Sequence, residues 1–270
     1  MGTVAKALEL LDHFTRANPR IGLSDLARMA DLNKATCYRL ASALCDHGLL
    51  EQLGDSREYR LGSGVLRLAS LREAHVPTRD AAMPALTRLA AETGETAHLS
   101  ILLRGQLRPL AHAYSSAHVT RVTMEDTDVL PLHATSSGLA VLAFGSADLR
   151  VSVLASGLPR LTAATLTNPG VLLARIKHAQ TIGYAESEGG FAAEVHSLAA
   201  PLFDRAGICT GALAVAALAT RMGGAERDRI RTALLRAARE ITQLWGGHLP
   251  PSLSQSWQNA DELLTQGTTP

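Results

Sequence analysis

Between residues 34 and 42 the chain reads KATCYRLAS, and one set of its side chains mixes charge with hydroxyls. Lys34, Ala35, Thr36, Tyr38, Arg39 and Ser42 fall on one side of a helix whose other side carries Cys37, Leu40, Ala41 and Leu44. The second set follows the i, i+3, i+4, i+7 rule of a buried stripe. A cation at each end of two helical turns, with hydroxyls between, suits phosphate oxygens and base edges in a major groove. The same face would also suit the solvent side of an ordinary bundle helix, so the neighbouring elements must decide.

Other reactive-looking groups argue for less. His98, His112, His118, His133 and His196 lie in the second part of the chain, yet none shows HxH or HExxH spacing and no cysteine accompanies them. Individually hydrogen-bonded histidines are expected, with no metal. His133 precedes Thr135-Ser136-Ser137-Gly138, but without a GxSxG elbow the hydroxyls read as helix-start caps and not as nucleophiles. Gly189-Gly190 lacks phosphate-loop spacing. No cofactor and no enzymatic activity are expected. Cys37, Cys45 and Cys209 have no metal-type spacing and read as free thiols of a cytoplasmic protein.

The elements that must position these groups can be read from pattern. Val4, Ala7, Leu8, Leu11 and Phe14 predict a first helix over 3–16. Leu26, Ala27 and Ala30 predict a second, with Ser24 as its N-cap and Asp31-Leu32-Asn33 as the turn into the third. His47-Gly48 closes the third. Residues 49–53 and 58–61 then read as a strand pair around the Gly54-Asp55-Ser56-Arg57 turn. Helix, helix-turn-helix and hairpin in that order predict a winged helix, with Arg57 and Arg60 placed for phosphate contact. Gly62-Ser63-Gly64 reads as a hinge, and Val65–Leu71 as a linker helix running toward Pro77.

From Thr78 onward the pattern is α+β: a helix over 80–93, strands over 96–103 and 107–114, a further strand over 119–124, and a small-residue helix over 134–144. A helix over 171–183, strands over 198–203 and 210–218, and a long helix over 226–245 follow. The Pro-, Ser- and Gln-rich tail after Gly246 is expected to be loose. Domain limits are therefore placed at 1–62 (winged helix), 63–77 (linker), 78–247 (second domain) and 248–270 (tail). Composition permits this: of 270 residues 46% are hydrophobic but 4% aromatic, so cores must be built from Leu, Ala and Val. The net charge is +1, and residues 1–75 hold ten Lys/Arg against nine Asp/Glu, so any polyanion must be met by charge arranged on a face. No run approaches the roughly 18 apolar residues of a membrane span. Glu9 and Asp12 break any leader-like stretch, and Lys6 argues against an N-myristoyl signal.

Three phrases carry a resemblance. GLSDLARMADLNKATCYRLASALCDHGLLE with the later YRLG, LPLHATSSGLAVLA, and IGYAESEGGFAAEVHSLAAPLFDRAG occur in the order seen in the IclR family of bacterial transcription regulators, over about residues 3–246. The resemblance implies a winged helix-turn-helix joined to a GAF/PAS-like effector domain, acting as a homodimer or homotetramer on palindromic double-stranded DNA. Repression is the expected mode. A small-molecule effector, an organic acid or less polar compound, would lie among Val119, Val122, Ser136, Ser137, Gly138, Ser187, Ser197, Ala214 and Ala216. Free amides at Ser136 and Ser137 would give a carboxylate its seat. The chain departs from the family's glyoxylate- and pyruvate-responsive pattern. Ser187 stands for an acidic residue, Ser197 for a cysteine, Ala214 and Ala216 for strand hydroxyls, and Leu139 for a lysine. These changes imply a bulkier or less polar ligand, or a lost response that leaves a constitutive DNA-binding protein. For Ser187 and Ser197, hydroxyls satisfied by backbone are an equal expectation. A ligase with an appended DNA-binding module would need a glycine- and arginine-rich adenylate loop, which the sequence lacks.

Overall fold

Asn33 starts the helix on which the first unit is built. Its side-chain oxygen accepts from the Thr36 amide at 2.8 Å, capping α3 (Lys34–Asp46) as the pattern predicts. Before it stand α1 (Thr3–Asp12) and α2 (Leu23–Met29); after it β1 (Leu50–Gln52) pairs antiparallel with β2 (Tyr59–Leu61). With α4 (Ser63–His75) these form residues 1–77, one of two compact units of this computed structural model; the other spans 78–270. The structure describes residues 2–15, 17–54, 56–75, 78–123, 128–254 and 257. Arg16, Asp55 of the wing turn, Pro77, Met124 and the tail beyond Trp257 lie outside the described residues.

In the first unit Leu10, Leu26, Leu40, Leu44, Leu50 and Tyr59 make a single core. Asp31 takes φ 51° in the turn between α2 and α3, a left-handed position that aspartate tolerates. A bridge between Ile21 and Tyr59 adds one more strand position to the wing. Two expectations change. Ser24 is not the cap of α2; that helix begins at Leu23 on Gly22, without a side-chain cap. Gly62 and Gly64 are not a free hinge either. Their amides donate to the carbonyls of Leu49 and Gly48 at 2.9 and 2.8 Å, and a Cβ on Gly62 would stand 2.3 Å from the Gly48 oxygen. Glycine is needed there because two backbones touch.

In the second unit α5 (Thr78–Thr93) leads into a five-stranded antiparallel sheet of order β4-β3-β7-β6-β5. The strands are β3 (Thr96–Leu103), β4 (Gln106–Ala113), β5 (Ala185–Glu188), β6 (Val195–Phe203) and β7 (Cys209–Leu218). Both sheet faces are covered, because α5 and α9 (Gly224–Leu244) pack on one another and on the strands while α6 (Ser136–Phe144) packs on β5, β6 and β7. Between α6 and β5 run α7 (Ala147–Ala155) and α8 (Pro169–Ile182). The winged helix-turn-helix plus α+β architecture is the one the sequence predicts.

Its details depart in three places. Residues 119–123 form no strand. β5 and α7 are additional to the elements that the sequence pattern predicts. The tail is not loose where it is described: a helical turn at 251–254 buries Leu253, and Trp257, 1% exposed, donates its Nε1–H to the Gly183 carbonyl at 3.0 Å. The low-complexity composition of the tail conceals these two apolar anchors.

Candidate DNA-reading surface and ligand cavity

On α3 the buried stripe is Cys37, Leu40, Ala41 and Leu44, which leaves Lys34, Ala35, Tyr38 and Arg39 exposed, with Thr36 and Ser42 half-buried beside them. Ser24 is exposed on the first turn of α2. Arg57 is exposed on the wing turn at φ 56°, held there by its amide to Leu53 and by Gln52 Nε2 donating to its carbonyl. Among the described residues Lys34, Arg39 and Arg57 have no acidic partner, so their full charge faces solvent. Arg60 differs. It sits opposite Glu51 in the β1–β2 register and forms an ion pair with it, which offsets its attraction for a phosphate.

The second unit contains a small cavity of about 90 Å³ beside the N-terminus of α6. The Thr135 hydroxyl caps this helix by accepting from the Gly138 amide at 3.0 Å and donating to the Pro131 carbonyl at 2.9 Å. The Ser136 and Ser137 amides have no hydrogen-bond partner among the described residues. Ser136 lines the cavity with Val122, Leu130, Phe191, Val195, Ala216, Ser187 and Ser197. Among the described residues no lysine, arginine or carboxylate lines it. Aligned peptide dipoles therefore supply the positive end of the site, and apolar side chains supply its walls.

His98, on β3, also lines the cavity and is missing from the expected site. Its Nε2 lies 3.3 Å from the Ser137 hydroxyl, and its Nδ1 is buried with no partner among the described residues. Burial, with His112 nearby on β4, lowers its pKa to about 4, so the ring is neutral at pH 7. Nothing in the local sequence marks it: one histidine in an apolar strand has no pattern.

Four expected residues stand elsewhere. Val119 is fully exposed at the loop apex, whereas Val122 reaches the cavity because Thr96 Oγ1 holds its carbonyl at 2.7 Å. Ala214 pairs with His98 on the same sheet face but is fully buried and does not line the cavity. Ser137 lies behind the wall, bonded to His98. Gly138 packs on backbone, since a Cβ there would meet the Leu132 oxygen at 2.4 Å. Ser187 Oγ donates to the Ala134 carbonyl at 2.9 Å, the backbone-satisfied alternative. Together with Ala134 it walls off a second, charged cavity of about 610 Å³ that includes Arg175, Glu186, His196 and Arg227.

The histidines do not converge. His133 Nε2 meets the Pro159 carbonyl at 2.9 Å, His196 meets Glu186 at 2.6 Å, and His112 stacks on Tyr114. Among the described residues no group of three His, Cys, Asp or Glu could hold a metal, and no helix is long and apolar enough to cross a membrane. Burial raises the Cys209 thiol to about 12, which keeps it unreactive.

An exposed helix-turn-helix with a wing, joined to a separate α+β unit with a neutral, dipole-headed cavity, defines the class of ligand-binding transcription regulators. Residues 3–54 match the model of the IclR helix-turn-helix domain, and residues 71–243 match that of the bacterial transcriptional regulator IclR C-terminal domain. The chain belongs to the IclR family. A crystal structure of an IclR transcriptional regulator from Silicibacter sp. TM1040 is similar over 93% of this chain and 99% of its own, with 48% identity and TM-score 0.90. An IclR homolog from Microbacterium hydrocarbonoxydans, solved with 4-hydroxybenzoate, covers 91% and 99% at 26% identity and TM-score 0.73. The HTH-type transcriptional regulator XynR of Escherichia coli K12 is 26% identical over 90% of this chain and 97% of its own length.

Proposed function

We propose that this regulator reads a palindromic operator as a homodimer or homotetramer, that it represses, and that a small monocarboxylate with an apolar body sets its DNA affinity. The observation that carries the DNA half is the Lys34–Arg39 face, whose cations are exposed and lack acidic partners among the described residues. Lys34, Tyr38 and Arg39 reach base edges; Ser24, Thr36, Ser42 and Arg57 meet backbone phosphates; Arg60 contributes less because Glu51 holds it. Exposed Leu66 and Leu68 on α4 support self-association. The ligand half rests on the unpartnered Ser136 amide at the cavity and on walls without any cation among the described residues, which suit one carboxylate. That a relative holds 4-hydroxybenzoate agrees with this class. The protein would work in the cytoplasm, beside its DNA.

Footprinting on the intergenic DNA upstream of its own gene tests the reading. A protected palindrome is expected, and Arg39→Ala should weaken protection about 5- to 150-fold while leaving the fold intact. Unchanged protection in the variant would remove α3 from the interface. No protected site at all would leave a ligand-binding protein whose DNA reader has decayed.

A further inference from the structure

We propose that His98 is the side-chain donor of the carboxylate seat: its imidazole, with the Ser136 amide, holds the ligand's single carboxylate. This rests on reading the cavity beside α6 as the effector site.

The assignment of the ring proton comes from the hydrogen-bond network. The Ser137 hydroxyl is fully buried, and its one partner among the described residues is His98 Nε2, at 3.3 Å. A buried hydroxyl that must donate makes Nε2 the acceptor, so the neutral ring carries its proton on Nδ1. That N–H is buried without a partner, on a residue 6% exposed that lines the cavity. An unmet buried donor costs free energy unless something in the site accepts from it. The groups nearest it select an acceptor of negative charge. Ser137, to which the ring is tied, belongs to the first turn of α6, where amides without partners and the helix dipole favour an anion. Among the described residues no arginine or lysine lines the cavity to compete for that anion. The ligand class is a monocarboxylate; a second charge would be left unmatched.

Nearby, the titratable group on the paired strand is His112, while the neighbours on α6 and β7 among the described residues, Ser136, Ser137, Ala214 and Ala216, carry no charge. A bound carboxylate therefore raises the affinity of the ring for a second proton, and binding tightens as pH falls toward 5. A purely structural histidine gives no such profile.

The experiment uses the full chain, with 4-hydroxybenzoate, benzoate and 3-methylbutanoate as probes, followed through the Ser136 and Ser137 amide resonances and the His98 ring nitrogens. In the free protein the Nδ1–H tautomer is expected. His98→Gln, which places its amide near Nε2, should weaken the best probe about 10- to 100-fold. His98→Asn, whose amide nitrogen takes the Nδ1 position, should stay within about threefold and lose the pH dependence. If probes shift the Ser136 and Ser137 amides while His98→Gln binds as well as wild type, His98 is not the donor and the effector site stands. If no probe at millimolar concentration moves any of these signals, the site and the donor both fall.

Discussion

A histidine kept neutral inside an apolar wall has a consequence for stability as well as for recognition. Burial lowers the His98 pKa to about 4, against about 6.5 in an unfolded chain. Between those values the unfolded state binds a proton that the folded state refuses, so stability falls as pH falls across that window. The contribution is complete above about pH 6.5 and is lost as pH drops through about 4, with a ceiling of about 3 kcal/mol. Urea unfolding near pH 7 and near pH 4.5 should show wild type losing more of its stability than His98→Asn. Parallel losses in the two proteins would mean that the ring is already solvated or charged. At this scale the sequence is legible where residues repeat. Cys37, Leu40, Ala41 and Leu44 betray the buried side of α3 and thereby expose Lys34, Tyr38 and Arg39. It is silent where a residue acts through a nonlocal neighbour. His98 gains its role from Ser137 on α6, and Val122 reaches the cavity while Val119 does not, because Thr96 holds the loop.

Helices and strands were legible where a cap or a stripe marked them. Asn33, Thr135, Asn168 and the C-terminal Gly183 each close a helix end. Weakly marked elements were missed for matching reasons: α7 buries no residue fully, and β5, AESE, carries no alternating apolar pair. The Gly62-Ser63-Gly64 stretch shows how composition can mislead, because glycine reads equally as a hinge or as close packing. Here it is packing, and the outcome of substitution changes with it. Gly62→Ala drives a methyl into the Gly48 and Leu50 carbonyls, at 2.3 and 2.9 Å. Overpacking of that kind should cost the first unit about 1–3 kcal/mol, seen as an earlier thermal transition of residues 1–77 with the second unit unmoved. An unchanged transition would restore the hinge. Such a variant weakens DNA binding by damaging the wing, so it cannot report on communication between the domains.

Communication belongs to the whole molecule. Two units with separate cores mean that the residues lining the candidate cavity all lie in the unit 78–270, and those of the proposed DNA-facing surface all in the unit 1–77. Coupling then exists only as a difference in affinity between two states of the assembled protein. Moving operator occupancy from 1:99 to 99:1 takes about 5.5 kcal/mol, so two ligands in a dimer would each supply a little under 3 kcal/mol. Linkage makes the effect reciprocal: operator DNA must change ligand affinity by the factor through which ligand changes operator affinity. Titrating 4-hydroxybenzoate into the full chain with and without operator, and into residues 78–257 alone, measures both sides. The isolated unit should bind and ignore DNA, whereas the full chain should show matching factors in the two directions. Ligand affinity that is identical with and without operator would mean that the cavity still binds but no longer regulates. In that case the serines and alanines at 187, 197, 214 and 216 mark the loss of a response, and the protein holds its operator constitutively.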